Sequence, residues 1–123
     1  MPEAYALQCR GASLVREVVL PDSLTEIGDT TFAGCYKLKK VRFGKGLQVI
    51  GYSAFASCIS LEEIDIPDSV VEISESVFAS CHKLKKITLP ERLKEWNFNT
   101  FRDCPALEII INDSKIPCYM PWY

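Results

Sequence analysis

The chain has one histidine, no Cys-x-x-Cys pair and no excess of basic residues. Each shortage excludes something. Structural zinc sites are built from close pairs of ligands, and the cysteines at positions 9, 35, 58, 81, 104 and 118 form no such pair. No metal or other cofactor is therefore expected. Lys and Arg number 14 against 16 Asp and Glu, a formal net charge of −2. That balance provides no basic surface for nucleic acid or an anionic membrane. The apolar runs are too short to cross a bilayer, so no membrane insertion is expected. The opening MPEAYALQCRGASL lacks the basic stretch and apolar core of a signal peptide. This implies a cytoplasmic protein if Met1 is the native start, and a cell-surface or secreted one if the chain is a segment of a longer protein.

What the chain does have is repetition. His82 lies in FASCHKLKKITL (78–89), directly after Cys81. FAGCYKLKKVRF (32–43), FASCISLEEIDI (55–66) and FRDCPALEIIIN (101–112) carry the same pattern, each starting 23 residues after the last. A fixed period of this size is the mark of a leucine-rich solenoid. Cys81 recurs as Cys35, Cys58 and Cys104, whereas His82 recurs as Tyr36, Ile59 and Pro105. A position that accepts all four types carries no shared chemistry. Cys81 and His82 are therefore not a nucleophile and its base, and no catalytic residue is assigned. GKGLQVIG (44–51) fits neither phosphate-binding glycine pattern. Gly44 occupies the position of Pro21 and Pro67, a turn.

The reading divides the chain into a degenerate N-terminal half-repeat or cap (1–17), four repeats (18–40, 41–63, 64–86, 87–109), and a C-terminal strand with a capping tail (110–123). Apolar columns align throughout: Val18, Val41, Ile64, Ile87; Leu20, Phe43, Ile66, Leu89; Ile27, Ile50, Ile73, Trp96; Phe32, Phe55, Phe78, Phe101; Leu38, Leu61, Leu84, Leu107. The alternating, β-branched stretch at the start of each unit predicts a short strand. Pro-Asp-Ser at 21–23 and 67–69 predicts a turn. LTEI (24–27) is a second extended segment or a bridge, and the residues around each Phe suit a helical or 3-10 turn. One unit cannot bury its apolar side, but stacked neighbours share a core. The expected fold is a right-handed, β-rich α/β solenoid whose strands centred on Val41, Ile64 and Ile87 form one parallel sheet.

Cys35, Cys58, Cys81 and Cys104 are expected to form a ladder of buried, reduced thiols, because cysteine behaves as a small buried hydrophobe. Cys9 falls in the Phe column of the N-terminal half-unit, with Ala12 in the Cys column.

These units resemble the BspA-like class of leucine-rich repeat, in which Leu-x-x-Ile-x-x-Pro is followed by Leu-x-x-Ile and Ala-Phe-x-x-Cys-x-x-Leu. Residues 18–109 follow that pattern nearly throughout. The resemblance implies a surface or secreted microbial protein used in adhesion and protein–protein contact, with no catalytic residues.

The outward positions of the first strand in each unit make a second set of columns. They read Arg16, Lys39, Glu62, Lys85, Glu108; then Glu17, Lys40, Glu63, Lys86, Ile109; then Val19, Arg42, Asp65, Thr88, Ile111. Signs alternate between rungs from the second unit onward, so opposite charges meet across the ~4.8 Å between strands. This sets register and also offers a mixed-charge face to a protein partner. The candidate face comprises Lys39, Lys40, Arg42, Glu62, Glu63, Asp65, Lys85, Lys86, Thr88 and Glu108. At the last rung Ile109 and Ile111 are expected to point outward, followed by Tyr119, Trp122 and Tyr123. That end is either a cap or an interface. The leading expectation is a non-enzymatic interaction or adhesion module. The alternative is an architectural or self-associating segment of a larger surface protein, joined through its repeat ends.

Overall fold

A computed structural model of the chain describes residues 14–90, 93, 96, 98–111 and 114–117. The elements are β1 (Glu17–Val19), β2 (Glu26–Ile27), β3 (Lys40–Arg42), β4 (Val49–Ile50), β5 (Glu63–Asp65), β6 (Glu72–Ile73), β7 (Lys86–Leu89), a 3-10 turn (Phe98–Phe101), β8 (Glu108–Ile111) and β9 (Ser114–Pro117). Each 23-residue step places like on like: Val18 pairs with Val41, Ile27 with Ile50, Ile64 with Ile87. The result is a parallel β-solenoid of about four turns. The LTEI-type stretches are true strands, forming a second ladder β2–β4–β6.

Two local features make the coil. At the first corner Leu24 N–H returns to Pro21 O (3.2 Å) and Val70 N–H to Pro67 O (3.1 Å), closing tight turns. At the second corner the residue two after each Phe lies in the left-handed region: Gly34, Ser57, Ser80 and Asp103, with φ of 77, 61, 60 and 62°. Thr30, Ser53 and Ser76 lie there as well. Small or short polar residues tolerate that backbone best, and its turns replace the helices anticipated in the first three units. Among the described residues the only helical segment is the single 3-10 turn.

The core is a set of stacked columns. Phe32, Phe55, Phe78 and Phe101 stack at 5.2, 5.6 and 5.9 Å with interplanar angles of 16, 8 and 6°. Beside them runs the cysteine column. Cys58, Cys81 and Cys104 donate their thiols to the backbone oxygens of Phe32, Phe55 and Phe78 at 3.3, 3.2 and 3.0 Å. All three are reduced, and burial pushes the Cys58 and Cys81 thiols from the ordinary 9.0 up to about 12. Cys35 departs from the expected ladder: it is disulfide-bonded, to a partner outside the described residues. It is the first rung, and the sequence has no phenylalanine 23 residues before Phe32. Thr31 and Thr100 stand in a column otherwise filled by Ala54 and Val77, and their hydroxyls are satisfied by Gly28 O and Ser74 O.

Two features of the strand face differ from the sequence reading. The first strands do not make one sheet: β1–β3 and β5–β7–β8–β9 are separate ladders. The last rung is also shifted. Ile109 pairs with Ile87 and Ile111 with Leu89, one residue short of the period. Leu84 is three residues from Ile87, but Leu107 is only two from Ile109. A slip of one residue turns a strand's faces over. Ile109 is accordingly fully buried rather than outward. The chain then reverses, and β9 pairs antiparallel with β8.

Candidate functional site

Where the strand ladder parts, the candidate face becomes a groove. Lys39, Lys40 and Arg42 line one wall, and Glu62, Glu63 and Asp65 line the other, with Val41, Ile64 and Ser60 completing it. Its volume is about 570 Å³. The parting has a local cause in the second coil. Phe43 stands where Leu20, Ile66 and Leu89 stand in the others, and it packs edge-on against Phe55 at 5.9 Å. Neither Phe43 nor Val41 is fully buried, unlike their column mates. On the other side, Gly44 allows an approach to the first coil that a side chain would block. A Cβ there would lie 2.2 Å from Pro21 O. Gly44 thus lets the second coil sit close against the first, while Phe43 packs within its own coil on Phe55.

The hydrogen bonds record the same asymmetry. Lys39 N–H reaches Arg16 O (2.8 Å), Lys85 N–H reaches Glu62 O (2.9 Å) and Glu108 N–H reaches Lys85 O (3.0 Å). The corresponding bond from Glu62 N–H to Lys39 O is absent. So is a bond from Phe43 N–H to Asp65 O, although Leu20 N–H and Ile66 N–H make its equivalents to Arg42 O and Thr88 O, both at 2.9 Å.

The charges follow suit. Arg42 Nε pairs with Glu17 at 3.1 Å and Lys85 Nζ with Glu62 at 3.5 Å, each within its own ladder. Among the described residues no ion pair crosses the parting, so Lys39–Glu62, Lys40–Glu63 and Arg42–Asp65 are not formed. All six charged side chains are exposed, and exposed pairs contribute only ~0–1 kcal/mol. They determine what the face presents more than how stable it is. Lys86 and Glu108 are also exposed and Thr88 is half-buried, on the far side of β5 from the groove. Ile109 lies in the core. Ile111 is placed by its backbone register, and Tyr119, Trp122 and Tyr123 lie outside the described residues.

Sequence spacing missed one polar cluster. His82 Nε2 lies 3.0 Å from Asp103 Oδ2, and Ser80 Oγ donates to the same oxygen at 3.1 Å. The hydrogen bond from His82, then that from Ser80, hold the Asp103 carboxyl below its usual range. Ser80 donates to the carboxylate and not to the imidazole, so the histidine does not act as a base on its hydroxyl. The Cys81 thiol points inward to Phe55 O. The histidine and aspartate belong to adjacent coils, and only a coil-to-coil comparison of positions two residues apart could have paired them.

The BspA type leucine rich repeat region pattern matches residues 8–118 in six copies. The chain belongs to this family. Repeats of this type are generally non-catalytic. Several solved structures share the fold. A leucine rich cell surface protein from Faecalibacterium prausnitzii is 31% identical, with a TM-score of 0.83 over 90% of this chain and 29% of that one. A leucine rich repeat protein from T. pallidum is 39% identical, with a TM-score of 0.73 over 76% of this chain and 44% of that one. A leucine-rich repeat protein from Bacteroides ovatus is 34% identical, with a TM-score of 0.70 over 75% of this chain and 24% of that one. The BspA-type chain therefore spans less than half the length of each of these three. A comparison with curated proteins finds no match.

Proposed function

We propose that this chain is a non-enzymatic protein-binding module, of interaction or adhesion type, that receives an extended segment of a partner protein in the groove between β3 and β5. The observation that carries this reading is the parting itself. It leaves a wall bearing Lys39, Lys40 and Arg42 facing a wall bearing Glu62, Glu63 and Asp65. Strand edges with unmet hydrogen bonds are a template for an added extended segment. Opposed charges select a partner carrying both signs, and they disfavour nucleic acid, which would require a cation at every rung. The alternative is an architectural segment that stacks end to end within a larger surface protein. The antiparallel β9 lies along the last parallel strand and supports the binding reading over stacking there, since it occupies the edge that a second copy would need.

The test uses short synthetic peptides of alternating Lys and Glu, with uniformly acidic and uniformly basic peptides as controls, titrated into the labelled protein and followed by amide chemical shifts. The expected result is a set of shifts confined to 39–43 and 60–65, from the alternating peptides alone, abolished by the pair Lys40→Glu and Glu63→Lys. Shifts that map elsewhere, or no response to any peptide, overturn the reading.

A further inference from the structure

Three of the ladder cysteines obey one rule. Cys58, Cys81 and Cys104 each place Sγ on the backbone oxygen of the residue 26 positions earlier, which is Phe32, Phe55 and Phe78. Cys35 occupies the same column, is 1% exposed and is disulfide-bonded. Counting back the same 26 positions from Cys35 reaches Cys9. We propose that Cys9 is the disulfide partner of Cys35, and that the bridge staples the N-terminal half-unit onto the first coil.

Elimination supports the same pair. With Cys58, Cys81 and Cys104 reduced, only Cys9 and Cys118 remain of the six cysteines. Cys118 directly follows β9, which pairs with β8 at the opposite end of the stack. Three strand steps separate β3 from β8, roughly 14 Å at ~4.8 Å each. A disulfide requires Cα atoms within about 7 Å. The spacing, by contrast, favours Cys9: the other three thiols each donate to the backbone oxygen of the residue 26 positions earlier, and 26 positions before Cys35 is Cys9.

The chemistry is a thiol–disulfide exchange. The Cys9 and Cys35 thiols together give up two electrons and two protons, and the sulfur–sulfur bond of a protein or low-molecular-weight disulfide oxidant accepts them and leaves as two thiols. Such a bridge forms and persists in an oxidising compartment. It therefore marks this chain as one that is exported. Because Cys35 is buried, a reductant reaches the bond only when the first coil opens.

The test is a linkage map of the full chain, secreted into an oxidising compartment and purified without reductant. The protein is unfolded, alkylated with iodoacetamide, digested and examined by mass spectrometry. The expected product is a Cys9–Cys35 linked peptide, with Cys58, Cys81 and Cys104 all alkylated. Alkylation at Cys35, or a Cys35–Cys118 link, overturns the proposal. Hydrogen exchange gives a second readout. Reductant should accelerate exchange of the 17–35 amides in the native chain and leave Cys9→Ser, already fast there, unchanged. Equal sensitivity to reductant in both proteins contradicts the assignment.

Discussion

The turn side and the strand side of this solenoid are built from the same four coils, yet one is continuous and the other is not. On the turn side Phe32 N–H reaches Ala54 O, Phe55 N–H reaches Val77 O and Phe78 N–H reaches Thr100 O, at 2.8, 2.9 and 2.9 Å. A second row runs beside it from Gly34, Ser57 and Ser80 to Ala56, Ala79 and Arg102, each at 2.8 Å. On the strand side the ladder stops after β3 and resumes at β5. The difference teaches where equivalence matters. The buried Phe, Cys and Leu columns of the turn side each hold one side-chain type, and the coils stack in phase. The strand side contains one coil with Phe43 and Gly44 in place of an aliphatic residue and a proline, and the ladder parts beside that coil.

The strongest way to break the comparison is to remove part of the turn-side spine. Phe55 is stacked between Phe32 and Phe78 and touched edge-on by Phe43. Phe55→Ala should cost ~3–5 kcal/mol in denaturant unfolding. The pair Lys40→Ala and Glu63→Ala on the strand side should cost under ~0.5 kcal/mol.

Next in size is an alkaline effect confined to the continuous side. Folding raises the Cys58 and Cys81 thiols from 9.0 to about 12. Below pH 9 both states keep the proton and stability is unaffected. Above it the unfolded chain ionises first, so stability falls as pH rises towards 12. Each thiol contributes a slope of at most ~1.4 kcal/mol per pH unit. Unfolding curves between pH 8 and about 10.5 should show this fall, and Cys58→Ala with Cys81→Ala should flatten it.

Two substitutions in the second coil sharpen the contrast with smaller effects. Gly44→Ala forces a Cβ against Pro21 O and should cost about 1–3 kcal/mol, read by the denaturation midpoint. Phe43→Leu restores the column's usual residue and should change stability by less than ~1.5 kcal/mol. Its signature is structural: the Glu62 and Phe43 amides should become protected as the ladder closes, and binding in the groove should weaken.

The columns of Phe, Leu and Cys were legible because stacking demands that each coil place the same side chain at the same height. The second ladder was legible from the alternation in LTEI and its equivalents. The shift at Ile109 was hidden by the run Glu108-Ile-Ile-Ile-Asn112, in which neighbouring positions are equally apolar and neither face is marked. The shorter spacing from Leu107 to Ile109 was the one available signal. Cys35 departs from the reading because periodicity treats all rungs as equivalent, while the first rung is disulfide-bonded and the sequence has no phenylalanine 23 residues before Phe32. The six groove residues were legible as a charged face, but the groove was not. It arises from how Phe43 and Gly44 position a whole coil, which no single column reveals.

The central claim is that the first-strand ladder is open between β3 and β5 while the other described ladders and the turn side are closed. Native-state hydrogen exchange, resolved by residue, tests it with controls inside the same molecule. Glu62 should exchange much faster than Lys39 and Lys85, its equivalents in the neighbouring coils, and Phe43 faster than Leu20 and Ile66. The turn-side amides of Phe32, Phe55 and Phe78 should be slow throughout. If Glu62 and Phe43 are as protected as their equivalents, the ladder is closed, and the groove and the function built on it are wrong.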